Sequence, residues 1–220
     1  MNSLMRRFRS LALILVAPLA LAACGINSIP TKEERAKAQW AEVQNQYQRR
    51  ADLIPNLVAT VKGYAAQEST VLIGVSQARA GAMQVKSDAS ITTDPAAFQR
   101  YAAAQNSLSL ALAPMRVLQE NYPDLKSNEN FMALQSQLEG TENRIAIARR
   151  DYNEAVRDFN TTLRTFPQII WAKTMYGSSK PMQLFEATAT AQSAPTVDFN
   201  PAAPAAAPPP GAAPGSPPPK

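Results

Sequence analysis

FMALQSQLEGTENRIAIARRDYNEAVRDFNTTLRTF, residues 131–166, decides the fold. Phe131, Leu134, Leu138, Thr141, Ile145, Ala148, Tyr152, Ala155, Phe159, Thr162 and Phe166 follow one another at intervals alternating between three and four. That alternation averages about 3.5 residues, the period of helices packed with a left-handed twist. Ser127 or Asn128 supplies an N-cap, and Phe166-Pro167 closes the run, because proline cannot continue a helix.

Moving toward the N-terminus, Asp94-Pro95 opens another helix, with Asp94 as cap and Pro95 in the first turn. Phe98, Tyr101, Gln105, Leu108, Leu112, Met115 and Tyr122 form its stripe, Pro114 kinks it, and Tyr122-Pro123 ends it. Thr31-Lys32-Glu33-Glu34 reads as a capping box before a stripe of Ala36, Trp40, Val43, Tyr47 and Ile54. Pro55 is expected to break or kink that helix. A second run, about 55 to 86, uses Leu57, Val61, Tyr64, Val71, Val75, Ala78 and Ala82, with Gly63, Gly74 and Gly81 either weakening it or allowing close packing. Nothing between 31 and 166 reads as a strand. The expected fold is all-α, an antiparallel bundle of three to four long helices.

The two ends are of other kinds. Arg6-Arg7-Phe8-Arg9 precedes an apolar run from Leu11 to Ala23 that stops at Leu21-Ala22-Ala23-Cys24. The run rises ~20 Å, short of a hydrocarbon core of ~30 Å. It reads as a signal peptide whose lipobox directs lipidation of Cys24. Two or more acyl chains on that cysteine anchor stably, where one is marginal. In the bacterial lipoproteins that this leader resembles, an aspartate after the cysteine favours the inner membrane, so the resemblance implies that Gly25 favours the periplasmic face of the outer membrane. At the other end, ten of the 26 residues from Pro195 to Lys220 are proline. Such a segment reads as disordered, a solubilising tail or a spacer toward a wall or protein partner. Residues 168–186 carry Ile169, Ile170, Trp171, Met175, Tyr176, Met182, Leu184 and Phe185, and should pack on the bundle end or on a partner. The expected organisation is leader 1–23, tether 24–30, bundle 31–186 and tail 187–220.

Composition excludes more than it suggests. The chain has no histidine and one cysteine. Histidine-based catalysis, internal disulfides and cysteine-based zinc sites fall away together. Removing the leader's three arginines from the 22 basic residues leaves 19 against 17 acidic ones, a net +2. That balance gives no reason to expect nucleic-acid binding. The carboxylates form no catalytic constellation: Glu142 with Glu139 or Glu129 is ordinary helix surface. No cofactor or metal is expected.

Several runs together resemble the LemA family. They are Trp40; Arg49-Arg50-Ala51-Asp52-Leu53-Ile54-Pro55-Asn56-Leu57-Val58; Val61-Lys62-Gly63-Tyr64-Ala65; Tyr122 through Phe131; Leu138 through Ala146; Ala148-Arg149, Tyr152-Asn153 and Phe159-Asn160. The resemblance covers about 32 to 186 and implies a helical bundle tethered by its N-terminus to a bacterial membrane. Members similar to this chain usually begin with an uncleaved transmembrane helix, where a lipobox stands here. Gln67 stands where the family often has histidine. The family implies no particular reaction; its members' genes often neighbour those of membrane peptidases and small envelope proteins.

Among polar residues, Arg49, Arg50 and Asp52 precede the Pro55 break. They either clamp that turn or present a surface to protein partners, and they are the candidate partner-binding residues. On the last helix, Glu142 and Arg149 lie two turns apart, placed to pair with other helices rather than each other. Asn153 and Asn160 share another line, and Tyr152 on the seam needs a hydroxyl partner. A polar layer that fixes register accounts for them, and a ligand pocket between helices is the alternative. The function expected is a lipid-anchored, non-catalytic envelope scaffold or adaptor; the second reading is a bundle binding a small or lipid-like ligand in its seam.

Overall fold

A computed structural model describes residues 25–85 and 87–186. The leader, Cys24 and the proline-rich tail lie outside the described residues. One compact unit ends at Phe185, and of the unit that follows only Glu186 is described.

The described residues form α1 (Ser28–Tyr64), α2 (Ser69–Gln84), a 3-10 turn (Ala89–Thr93), α3 (Pro95–Asn121), the single turn α4 (Pro123–Lys126), α5 (Glu129–Thr162) and α6 (Gln168–Thr174). Contacts give the directions. Arg35 reaches Asp158 and Arg50 reaches Glu142, so α5 runs antiparallel to α1. Arg79 reaches Ala51 while Trp40 meets the loop at Ser87, so α2 runs back along α1. Trp40 packs on Phe98 and Arg50 bonds Gln105, so α3 is again parallel to α1. The result is an up-down-up-down, all-α bundle, as the sequence led us to expect, with α2 much the shortest of its four long members.

Backbones of α1 and α5 lie close along most of their length, whereas α3 meets that pair through large side chains. The α5 stripe supplies the reason. Phe131, Leu138, Thr141, Ile145, Ala148, Tyr152, Ala155, Phe159 and Thr162 are all buried. On α1, Trp40, Val43, Tyr47, Ile54, Leu57 and Val61 answer them from one face.

Helix ends follow short-range chemistry, with exceptions. Asp94 accepts from the Ala96 and Ala97 amides at 2.9 and 3.1 Å, with Pro95 behind it. Asn128 accepts from the Phe131 amide at 2.9 Å. The capping box at Thr31 does not form, because α1 already begins at Ser28; Thr31 Oγ1 donates back to the Asn27 carbonyl and Glu34 pairs with Lys37. Ile29 is fully buried, which extends the helix ahead of the expected cap. Pro55 does not break α1, and the chain turns instead at residues 65–68. Pro114 likewise lies inside α3. The glycines at 63, 74 and 81 mark no close packing, since a Cβ at any of them would touch nothing.

α5 stops at Thr162, short of Phe166, which is 79% exposed. The seam at this end is filled from elsewhere: after α6 the chain returns, and Met182 and Phe185 enter the core that Phe159 and Leu163 line. The apolar segment 168–186 thus packs on its own bundle.

Phe159 is fully buried in that core. Its replacement by alanine should cost about 3–5 kcal/mol, the range for emptying an aromatic seat. Urea unfolding of Phe159→Ala checks it; a loss below ~1 kcal/mol would mean that the seam collapses around the gap.

Candidate functional site

Two hydrophobic cores share the bundle. One gathers Trp40, Phe98, Tyr101, Tyr152, Phe159 and Phe185 near the start of α1. The other gathers Leu57, Leu72, Leu108, Leu125, Phe131 and Leu138 at the far end. Between them lies Arg50, 1% exposed. Arg50 Nη1 donates to Ser109 Oγ at 2.6 Å and to Glu142 Oε1 at 2.8 Å. Nη2 donates to Gln105 Oε1 at 2.7 Å and to the Gln105 carbonyl at 3.1 Å. The guanidinium carbon stands 5.0 Å from the Tyr47 ring centroid. Thr141 is buried one residue before Glu142 and turns its hydroxyl to the Gln137 carbonyl of its own helix.

Desolvating a full charge costs several kcal/mol unless hydrogen bonds and a countercharge replace water. Arg50 has both. Its partner Glu142 keeps 35% of its side chain in solvent, so only one member of the pair is fully desolvated. Three helices converge on this one cation: α1 carries it, α3 supplies Gln105 and Ser109, and α5 supplies Glu142.

One turn along, Pro55 has no amide to give the Ala51 carbonyl. Arg79 of α2 takes that place, its Nε donating to Ala51 O at 2.7 Å. The helix therefore carries its proline without an orphaned buried acceptor.

The tyrosines around the layer are chemically quiet. Burial raises the Tyr47 hydroxyl above its ordinary range, with Arg149 and Arg50 pulling the other way. Burial raises Tyr101 and Tyr152 as well. Each stays protonated at neutral pH. Among the described residues no three His, Cys, Asp or Glu side chains gather as a metal would require.

The three candidate partner-binding residues separate. Arg49 and Asp52 are exposed, and Asp52 accepts from Gln48 on its own helix at 2.8 Å. Arg50 is a correction: it presents no surface and instead organises the core. The sequence held the signal. Trp40, Val43, Tyr47, Arg50, Ile54, Leu57 and Val61 alternate intervals of three and four, so Arg50 occupies a seat of the apolar stripe. Expecting a break at Pro55 hid that continuity.

Of the other polar residues, Glu142 pairs across helices as expected, and Arg149 covers the Phe185 ring at 4.5 Å. Tyr152 finds its hydroxyl partner in the Gln183 carbonyl at 2.9 Å. Asn153 and Asn160 serve no ligand pocket in the seam but hold residues 182–185. Gln67, at the far end, donates to the Tyr122 hydroxyl, which in turn donates to Glu68.

Residues 39–199 match the LemA family, more than half of the chain. The chain belongs to the LemA family. Relatives of this LemA protein include magnetosome protein MamQ 1 of Paramagnetospirillum magneticum, 24% identical over 171 residues. Magnetosome protein MamQ of Magnetospirillum gryphiswaldense is 23% identical over 171 residues. Each alignment takes in 70% of this chain but only 63% of the relative, so the LemA chain spans less than two thirds of those proteins.

Clefts in the LemA seam are small. One of about 80 Å³ lies beside Tyr47, Tyr101 and Gln105, and one of about 50 Å³ beside Leu57, Met115 and Phe131. Pockets for small molecules run to roughly 300–1,000 Å³. A groove of about 520 Å³ opens outward between α1 and α2, lined by Val58, Lys62, Leu72 and Ile73.

Arg50→Ala removes a buried cation, its hydrogen bonds and the volume between the two cores. The expected loss is about 3–5 kcal/mol, against ~0.5 kcal/mol or less for Arg49→Ala on the surface. Chemical unfolding of the two variants side by side checks this; equal effects would remove the layer from any organising role.

Proposed function

We propose that this LemA protein is a membrane-associated envelope protein, anchored by lipid on Cys24, that acts as a non-catalytic scaffold or adaptor for protein partners. The anchor reading rests on Leu21-Ala22-Ala23-Cys24 behind a basic and apolar leader. Among the described residues no helix is long and apolar enough to cross a membrane. The periplasmic face of the outer membrane is the favoured location, through Gly25. The magnetosome naming of the MamQ relatives fits association with a membrane.

One observation carries the scaffold reading: the bundle spends its interior chemistry on itself and leaves apolar side chains outside. The guanidinium, the one buried charge among the described residues, is bonded to α3 and α5. On the outer face of α3, Leu110 is 74% and Val117 56% exposed, two turns apart with Pro114 between them. Contiguous exposed apolar patches mark contact surfaces, and these two side chains are the candidate nucleus of one. A ligand held in the seam is the weaker reading, because the seam clefts are several times too small.

Two tests follow. Cys24→Ala should leave an unlipidated precursor, seen by intact mass as loss of the acyl-bearing mature form; identical masses without acyl chains in both proteins would end the lipoprotein reading. Arg49→Ala with Asp52→Ala should lower capture of protein partners by in-cell crosslinking severalfold while leaving helicity and melting unchanged. Unchanged capture would move the contact surface away from this part of α1.

A further inference from the structure

Residues 179–185 sit on the bundle as a ligand sits in a groove. Asn160 accepts from the Met182 amide at 2.9 Å and donates to the Met182 carbonyl at 2.8 Å. Asn153 repeats the pattern on Phe185, at 2.9 Å in each direction. Between them Tyr152 donates to the Gln183 carbonyl at 2.9 Å, and the Gln183 amide donates to the Thr92 carbonyl at 2.7 Å. Every one of these bonds goes to main chain, so they read an extended backbone and not its sequence. Selection falls to two buried side chains. Met182 packs in the core, and Phe185 lies 4.8 Å from Phe98 and 6.0 Å from Trp40, ring to ring.

The spacing is commensurate. Seven residues of helix separate the two asparagines, a rise of ~10.5 Å. Three residues of chain separate Met182 from Phe185, a reach of at most ~10 Å. One helix face thus grips the main chain of two residues of the same segment.

We propose that this groove is a docking site for an extended peptide with an aliphatic residue first and a phenylalanine fourth, and that in trans it takes residues 179–185 of a second copy of this chain. Three observations favour that occupant. The segment's main chain meets Tyr152, Asn153 and Asn160, and its Met182 and Phe185 fill the core beside them. Its connection to α5 buries no residue fully, with Trp171, Ala172 and Tyr176 packed only part-buried at the edge of the core. The anchor run 181–185 carries no charge and Lys180 is the single charge of the segment, so two copies repel little there. Exchange between identical copies refills each groove with equal contacts, which makes it cheap. Within one chain the short tether acts like a local concentration of order millimolar, so exchange appears only where copies are crowded.

Complementation between two full-length variants, purified in detergent, tests the proposal. One carries Asn153→Ala and Asn160→Ala, losing the groove and keeping the strap. The other carries Met182→Ala and Phe185→Ala, losing the anchors and keeping the groove. Each alone should sediment as a monomer, and the mixture should give a one-to-one pair. A labelled synthetic peptide of residues 178–186 should bind the anchor-less chain at least tenfold more tightly than wild type, whose own strap competes. Peptide binding without a pair overturns the second copy as occupant and gives the groove to another protein's peptide. No peptide binding to a folded anchor-less chain overturns the groove itself. Should circular dichroism show either variant unfolded, the wild-type chain cut at a protease site inserted after Gly177 decides. A cut strap that exchanges with labelled peptide supports the site, and one that leaves only as the helices melt overturns it.

Discussion

A single cation inside the bundle sets the constraint around which everything else is arranged. Apolar seats alone would let α1 and α5 slide by a heptad with little penalty, because most of their side chains are interchangeable in kind. Arg50 removes that freedom. A shift of one turn would carry its guanidinium away from Glu142 toward Ile145 or Leu138 of α5, apolar seats that accept no hydrogen bond. Leaving such a charge unpaired costs several kcal/mol, more than any one apolar contact returns. The layer works because the penalty for error is large, even where the net gain from the native pair is small.

The same residue explains why two cores of different character coexist. On one side of the layer the seats hold Trp40, Tyr47, Tyr101, Tyr152 and Phe159; on the other they hold leucines, valines and Phe131. Aromatic side chains keep α3 away from α1 and α5 and leave an opening that no neighbouring helix fills. Phe185 fills it. The returning segment is therefore a packing requirement of the aromatic half. The aliphatic half closes through short loops, where Asn128 donates to the Tyr64 hydroxyl and Tyr122 bonds Glu68.

Periodicity made the helices legible, and it was legible wherever one residue type repeated. The α5 stripe could be read nearly seat by seat, and Asp94 and Asn128 marked their caps because capping is a contact within one turn. Two local rules misled. Proline at position 55 suggested a break, but the cost of a proline is a lost hydrogen bond and its consequences, and Arg79 from another helix supplies the missing donor. A charged residue at position 50 suggested a clamp at the turn or a surface, but its side chain is bonded inside the bundle by residues 55, 59 and 92 positions away. Neither rescue can be read from a window of neighbouring residues. Phe166 failed in the opposite sense: its spacing continued the stripe, yet α5 ends at Thr162, so the helical face that would seat it is not there. Pattern predicts which residues are eligible for a seat, and tertiary structure decides which of them sit.

Asparagine at positions 153 and 160 shows why polar residues belong at such a boundary. A non-helical segment laid against a helix has amides and carbonyls on its inner side that the helix backbone, already fully bonded, cannot satisfy. Serine or threonine would reach one of them at a time. An asparagine amide offers a donor and an acceptor in one plane, matched to the amide and carbonyl of a single residue. Placing two of them two turns apart lets Met182 and Phe185 bury their side chains with their own amides and carbonyls bonded. Arg50 and the two asparagines thus solve one problem by the same means: each brings a polar element into an apolar seam, and each fixes register because only one alignment brings its bonding partners within reach.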